Sequence, residues 1–284
     1  MKLSIKVALV FIISSVLSVI FFKFVPVPYT PLMFWKSTAS VFSDKFIGIN
    51  HDWVPLEKIS KSMQRAVIKA EDYKFYQHNG FDFEAIQKAI EYNKTHKRKI
   101  GASTISQQTA KNVFLWPSRS WIRKGLEVYF TVLIEFFWTK ERIIEVYLNV
   151  IEVGPGIYGV EAGAQKFFKK PAKKLNSHEA SLIAAVLPNP IKFKVDKPSR
   201  YVLRRQRKIL GTKIATQKAP EVEKTTITEF FDIKFDQEDE SDKGNNANSE
   251  KNNTEATTSE TVNENPATNE NSSEASATVE ALSQ

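Results

Sequence analysis

Between Lys6 and Lys23 runs an uncharged, mostly apolar stretch, Val7 to Phe22, which Phe24 and Val25 prolong past the lysine. Such a run is long enough to cross a hydrocarbon core of about 30 Å, where a lone segment can satisfy its own N–H and C=O groups only as a helix. Lys23 lies near enough to the end to snorkel to the headgroups. A cleaved leader would need small side chains at its cleavage site, whereas this run is followed by Phe22-Lys23-Phe24-Val25-Pro26. Residues 1–25 are therefore predicted to be a cytoplasmic stub and an uncleaved anchor. Lys2 and Lys6 on the N-terminal flank place the rest of the chain outside the cytoplasm. Nucleic acid is thereby excluded as a partner.

Charge divides the rest of the chain in two. Residues 236–284 hold twelve Asp/Glu against two Lys, net −10, so the whole chain's +8 leaves +18 for residues 1–235. A body that basic expects an anionic partner, either a membrane surface or a phosphate-bearing substrate. No cysteine is present and only four histidines are, which removes disulfide frameworks, thiolate zinc sites and cysteine nucleophiles.

Pro26, Pro28 and Pro31 predict an extended, membrane-proximal connector over 26–53, and its aromatics Tyr29, Phe34 and Trp35 suit either a lipid interface or a plain stiff linker. From residue 54 to about 212 helical periodicity is dense and plausible strands are few, so a single mainly α domain is expected. Met63, Ala66, Val67 and Ala70 mark a first helix ending near Phe75, and a second runs from about Phe83 to Tyr92. Thr104-Ile-Ser-Gln107 reads as a capping box that opens a third. Arg119 to Trp138 reads as a long central helix, apolar almost all round. Thr139 caps the next one, to Leu148, and helices over Val160 to Phe168 and Ser177 to Leu187 come after it, the last stopped by Pro188 and Pro190. The pattern fades over 213–235. Residues 236–284, rich in Asn, Ser, Thr, Glu and Ala, are expected to be disordered.

Few residues carry chemistry by themselves. Glu71 and Asp72 are adjacent carboxylates at the end of the first helix, with Glu71 four residues after Val67 at the margin of the apolar face. Partial desolvation there makes a better general base than a carboxylate in bulk water, although the pair by itself reads first as a solvated helix-end acid. Lys124, Glu127, Thr131 and Glu135 form one polar stripe on the long helix, among Leu126, Tyr129, Phe130, Leu133, Phe136 and Phe137. That stripe either faces solvent or is buried with partners. Gly154-Pro-Gly156-Ile-Tyr-Gly159 matches a dinucleotide fingerprint in letters only, since no βαβ unit surrounds it and Pro155 stiffens the turn. His78 has no second histidine at ligand spacing and reads as a structural hydrogen-bonding residue.

Taken together in order, these segments resemble a known family. Glu71-Asp-Tyr-Lys-Phe-Tyr-Gln-His78-Asn-Gly80 is similar to the first signature of the family 51 peptidoglycan glycosyltransferases, and Gly101-Ala-Ser-Thr-Ile-Ser-Gln-Gln-Thr-Ala-Lys111-Asn112 to the second. Arg123-Lys124-Gly-Leu-Glu127 resembles the third, and Lys140 through Tyr147-Leu148-Asn149 the fourth. Ala184-Ala-Val-Leu-Pro-Asn-Pro190, with Arg204, Arg205 and Arg207 after it, resembles the fifth. The segments around Ser120 and Leu187 look like the monofunctional biosynthetic branch, which lacks a transpeptidase domain. One departure is Ala102, where the family usually has a second glycine; a methyl is the whole difference, and the loop it sits in is expected to be stiffer.

The resemblance implies a mainly α, lysozyme-like large lobe with a small hydrophobic jaw against the bilayer. Phe114, Leu115, Trp116 and Trp121 belong either to that jaw or to the core. It also implies polymerisation of lipid II into a growing β-1,4 glycan strand, with inversion and loss of undecaprenyl diphosphate, at the outer face of a bacterial cytoplasmic membrane. Glu71 would be the general base and Glu127 the second important carboxylate. Lys111 and Arg119 would bind the donor pyrophosphate, with Arg123 and Lys124 adding charge. Ser103, Gln107, Gln108 and Asn112 would complete the substrate cleft. Family members often use a divalent cation, Mg or Mn, and no organic cofactor. A lysozyme-like hydrolase would also use paired carboxylates, but would not need a cluster of cations. A non-catalytic cell-wall scaffold would need neither.

Overall fold

The computed structural model describes residues 3–41, 47–118 and 120–211. Arg119, the segment 213–235 and the tail 236–284 lie outside the described residues. The first element, α1 (Leu3–Phe24), has 22 residues, about 33 Å at ~1.5 Å per residue, and is long and apolar enough to cross a membrane. The chain is extended over 26–30 and then turns helical in α2 (Pro31–Val41). The proline-rich connector is thus shorter than expected. Buried Thr30 accepts a hydrogen bond from the Met33 N–H at 3.2 Å, and proline is tolerated at the first helical position because that N–H has no intrahelical acceptor.

β1 (Asn50–His51) also comes from the segment read as connector and joins a three-stranded sheet of order β1-β3-β2, formed with β2 (Glu152–Gly154) and β3 (Ile157–Tyr158). β1 runs parallel to β3, and β2 antiparallel to it. Gly156, with φ +70°, lets the turn between β2 and β3 pass under the β1 segment, since a Cβ there would stand 2.3 Å from the Gly48 carbonyl oxygen. The glycine-rich stretch is therefore a structural crossing.

The helices begin where side chains can cap them. Ser60 accepts from the Met63 N–H to open α3 (Lys61–Glu71), and Asp82 from Ala85 to open α4 (Phe83–Thr95). Thr104 and Gln107 form the expected capping box of α5 (Ile105–Phe114). Ser120 opens α6 (Trp121–Phe137) and Thr139 opens α7 (Lys140–Val150). Beyond the sheet come α8 (Val160–Phe168), α9 (Ser177–Val186) with an Asn176/Glu179 capping box, and α10 (Arg200–Gly211). α3 stops at Glu71, short of the expected Phe75. The reason lies at Asp72, which leaves helical geometry at φ −162°, ψ 74°, and whose carboxylate accepts from His78 Nε2 at 2.9 Å and from the Ile105 N–H at 3.0 Å. His78 is thereby the structural partner its isolation suggested.

The core gathers around α7, where Ile143, Ile144, Val146, Tyr147, Leu148 and Val150 are all buried, each worth about 1.5–3 kcal/mol on removal from water. α6 is built the other way round. Its buried residues include Arg123, Lys124, Glu127 and Thr131, while Ile122 is 75% and Phe136 79% exposed. Gly80, at φ +93°, lies against this polar face; a Cβ there would come within 2.8 Å of Thr131 Cγ2.

α1 docks on α6 and α7 through polar contacts. Ser15 Oγ and Tyr129 OH share a hydrogen bond of 2.7 Å, and Trp138 Nε1 donates to the Val19 carbonyl at 2.8 Å. Arg142 Nη2 donates to the carbonyls of Phe22 at 2.8 Å and Val25 at 2.7 Å, covering the acceptors that a helix C-terminus leaves unpaired.

Candidate active site

A cleft of about 800 Å³ opens between α2, α3, α5, the start of α6, β2 and α10. Six residues expected at the site line it: Glu71, Ser103, Gln108, Lys111, Asn112 and Arg123. Helix ends account for most of this convergence. Glu71 is the last residue of α3, and Arg123 sits in the first turn of α6. Lys111 and Gln108 are three residues apart on α5, hence on one face.

Glu71 is tightly oriented. Its Oε1 accepts from Arg205 Nη2 at 3.0 Å, and its Oε2 from Gln108 Nε2 at 3.1 Å. Gln108 is fixed in turn because its Oε1 accepts from the Tyr147 hydroxyl at 3.3 Å. Burial, then the nearby carboxylates of Glu71 and Asp72, pushes the Tyr147 phenol well above its ordinary range, so Tyr147 remains a donor. Each Glu71 oxygen keeps acceptor capacity for a substrate hydroxyl. The two adjacent acids thus have separate work: Asp72 joins the α3 end to the α5 start, and Glu71 faces the cleft.

Facing Glu71 across the cleft is positive charge. Lys111 has no ion-pair or hydrogen-bond partner among the described residues, and burial, with help from the charges of Arg123, Lys124 and Lys36, lowers its pKa below the ordinary lysine value while Glu127 opposes the shift. Behind it lies a buried triad. Arg123 Nη1 donates to Glu127 Oε2 at 2.9 Å, and Lys124 Nζ to Glu127 Oε1 at 2.7 Å. The Nε–H groups of both Arg123 and Arg205 are buried without a partner among the described residues, which leaves donors for an anion in the cleft.

Three expected site residues stand back from the cleft. Gln107 is fully buried and its Oε1 accepts from the Thr104 N–H to cap α5, while its Nε2 is buried with no partner among the described residues. Lys124 and Glu127 are 4% and 3% exposed; Glu127 pairs with Arg123, and the charges of both also act on Lys111. The solvent-facing alternative for the polar stripe is overturned: Thr131 donates to the Glu127 carbonyl, and Glu135 accepts from Ser106 and from Lys140 at 2.7 Å. Ala102 strains nothing, packing against the small cluster of Ile86 and Val128. Leu115 is core and Phe114 stacks on Phe130, whereas Trp116 and Trp121 are exposed. Asn149, part of the fourth signature, is a staple: its side chain pairs with both backbone groups of Val54.

Three charged cleft residues, Lys36, Glu152 and Arg205, were missing from the expected site set. Arg205 sat in the basic run after the fifth signature, where nothing in spacing separates it from Arg204 or Arg207. Lys36, on α2, had no signal at all. Among the described residues no protein cage for a divalent cation is formed. Both oxygens of Glu127 and both of Glu71 accept from cationic or amide donors, and no cluster of three or more His, Asp or Glu exists among the described residues.

A mainly helical domain whose cleft gathers an oriented carboxylate, Glu71, with several cations is the build of a glycosyl-transfer enzyme acting on an anionic donor, and the chain belongs to the transglycosylase family, whose model matches residues 41–213. It is 61% identical to a biosynthetic peptidoglycan transglycosylase of Bdellovibrio bacteriovorus over 239 residues, 84% of this chain and 95% of that protein. Proteins of the same name from Bacteroides thetaiotaomicron and Caulobacter vibrioides are 54% and 53% identical, over 76% and 71% of this chain and 88% and 85% of theirs.

Proposed function

We propose that this peptidoglycan glycosyltransferase polymerises lipid II with Glu71 as general base, held at the outer face of a bacterial cytoplasmic membrane by α1. The observation that carries the reading is the pairing, within one cleft, of oriented Glu71 with the unpaired cation Lys111 and the orphan donor of Arg123. Glu71 takes the proton from the acceptor sugar's 4-hydroxyl as that oxygen bonds to C1 of the donor sugar. The C1–O bond to the diphosphate breaks on the opposite face, inverting the centre, and the electron pair leaves on the diphosphate. Lys111 and Arg123, joined in the sequence by Arg119, stabilise the departing anion by charge that is already in place. No protein acid is needed to protonate such a leaving group. Exposed Trp116, Trp121, Ile122, Val132 and Phe136 form the apolar face of a jaw that rests on the bilayer from which the lipid donor enters.

Incubation with lipid II and separation of the products by size tests the reading. Lengthened glycan is the expected result; shortening of preformed glycan, with no product from lipid II, would replace it with a hydrolase. Glu71→Gln should lose polymerisation while keeping the fold and the membrane attachment.

A further inference from the structure

One wall of the cleft comes from outside the stretch that matches the family. α2 ends where that stretch begins, yet Leu32 and Lys36 line the cleft opposite α10. Lys36 pairs with Glu152 of β2, itself lining the cleft and 6% exposed. Glu152 has a second, fixed task, since its Oε1 accepts from the Gly156 N–H at 3.2 Å. The carboxylate is therefore anchored and the lysine is the movable half. Lys36 also stands close enough to Lys111 to add to the charge that depresses it.

We propose that Lys36 is a further cation of the anion site, held by Glu152 in the free enzyme and transferred to the substrate's diphosphate when it binds. This rests on the glycosyltransferase reading. The physical case is that the free cleft would otherwise confine several like charges with little to neutralise them. A lysine parked on an anchored carboxylate lowers that repulsion, and its long flexible stem lets it swing to an arriving anion. α2 thereby becomes part of the binding machinery, and the membrane-proximal segment sets how tightly the donor is held.

The test compares Lys36→Met, Lys36→Arg and Glu152→Gln in the full-length chain, by calorimetric titration of inorganic pyrophosphate and by initial rates on lipid II. Lys36→Met should raise KM and weaken pyrophosphate binding about five- to tenfold, with kcat changed less than about twofold. Lys36→Arg should restore most of that loss. Glu152→Gln keeps the acceptor for Gly156 while releasing Lys36, and should tighten pyrophosphate binding about two- to threefold. Parallel weakening by Lys36→Met and Glu152→Gln would show a structural tether and overturn the proposal, as would unchanged binding in Lys36→Met. Should Lys36→Met fold poorly, the opposite signs expected of Glu152→Gln and a mere tether still decide. A wild-type enzyme that makes no glycan but binds pyrophosphate through Lys36 would sink the glycosyltransferase reading and leave this one standing.

Discussion

α6 and α7 are consecutive in the chain and are built on opposite plans. α7 buries six apolar side chains and one polar one, Asn149, whose amide is paired with the Val54 backbone. α6 buries two cations, a carboxylate and a threonine and presents Ile122, Val132 and Phe136 outward. Each plan fits the helix's own surroundings. Behind α7 lies an apolar core; behind α6 lies a charged cleft, and in front of it, in the proposed membrane arrangement, lies lipid.

The largest effect that could break this contrast is at Glu127. Glu127→Gln removes the charge that satisfies both Arg123 and Lys124, and should slow polymerisation by about 10² or more, with up to about 3–5 kcal/mol of stability lost because two buried cations lose their counter-ion. Initial rates on lipid II and denaturant unfolding measure both; a rate loss below about threefold would make the inner face of α6 a packing device. On α7, Ile143→Ala should cost about 2–5 kcal/mol by cavity formation while the folded fraction keeps its specific activity. A matching fall in specific activity would mean that α7 is no more separate from the chemistry than α6.

Lys111→Met should separate function from stability. Burial and neighbouring cations disfavour the charged form in the fold, so at neutral pH the charged lysine lowers stability. That cost fades as pH rises through the depressed pKa towards the ordinary lysine value. The variant should therefore be about 0.5–2 kcal/mol more stable near pH 7, less so at high pH, and far less active. Lower stability at every pH would contradict the assignment of Lys111 as an uncompensated site cation. Phe136→Ser, on the outward face, should change stability in detergent by no more than about 0.5 kcal/mol; a loss above about 2 kcal/mol would mean that this face packs on protein. Smallest of all is Lys97→Ala, in an exposed loop, for which a screened charge predicts at most about 1 kcal/mol on substrate binding and rates within about threefold of wild type.

How much of the fold and site was legible depended on whether the signal was local. The capping box at Thr104 depends on residues three apart, and the start of α5 comes from it; the box at Asn176, which opens α9 in the same way, was not read from the sequence. The end of α3 was not legible, because Asp72 leaves the helix to satisfy an N–H thirty-three positions away. The stripe on α6 could be seen but not oriented, since periodicity gives the angle between two faces and not which of them points inward. Gln107 shows the limit of motif reading: its letter belongs to a signature shared by site residues, while its Oε1 is used in a cap.

The apolar first helix, the mainly helical domain, the division between a basic body and an acidic tail, and the candidate carboxylates and cations were all written in the sequence, because length, hydropathy, charge and capping act within a few residues. Which of those groups meet was a matter for the tertiary structure. Arg205 on Glu71, Lys36 on Glu152, and Asp72 on the start of α5 join positions 134, 116 and 33 residues apart. A group's role there is set by what chain folding brings near it, since a hydrogen bond forms only within about 3 Å and a charge interaction weakens as the separation grows.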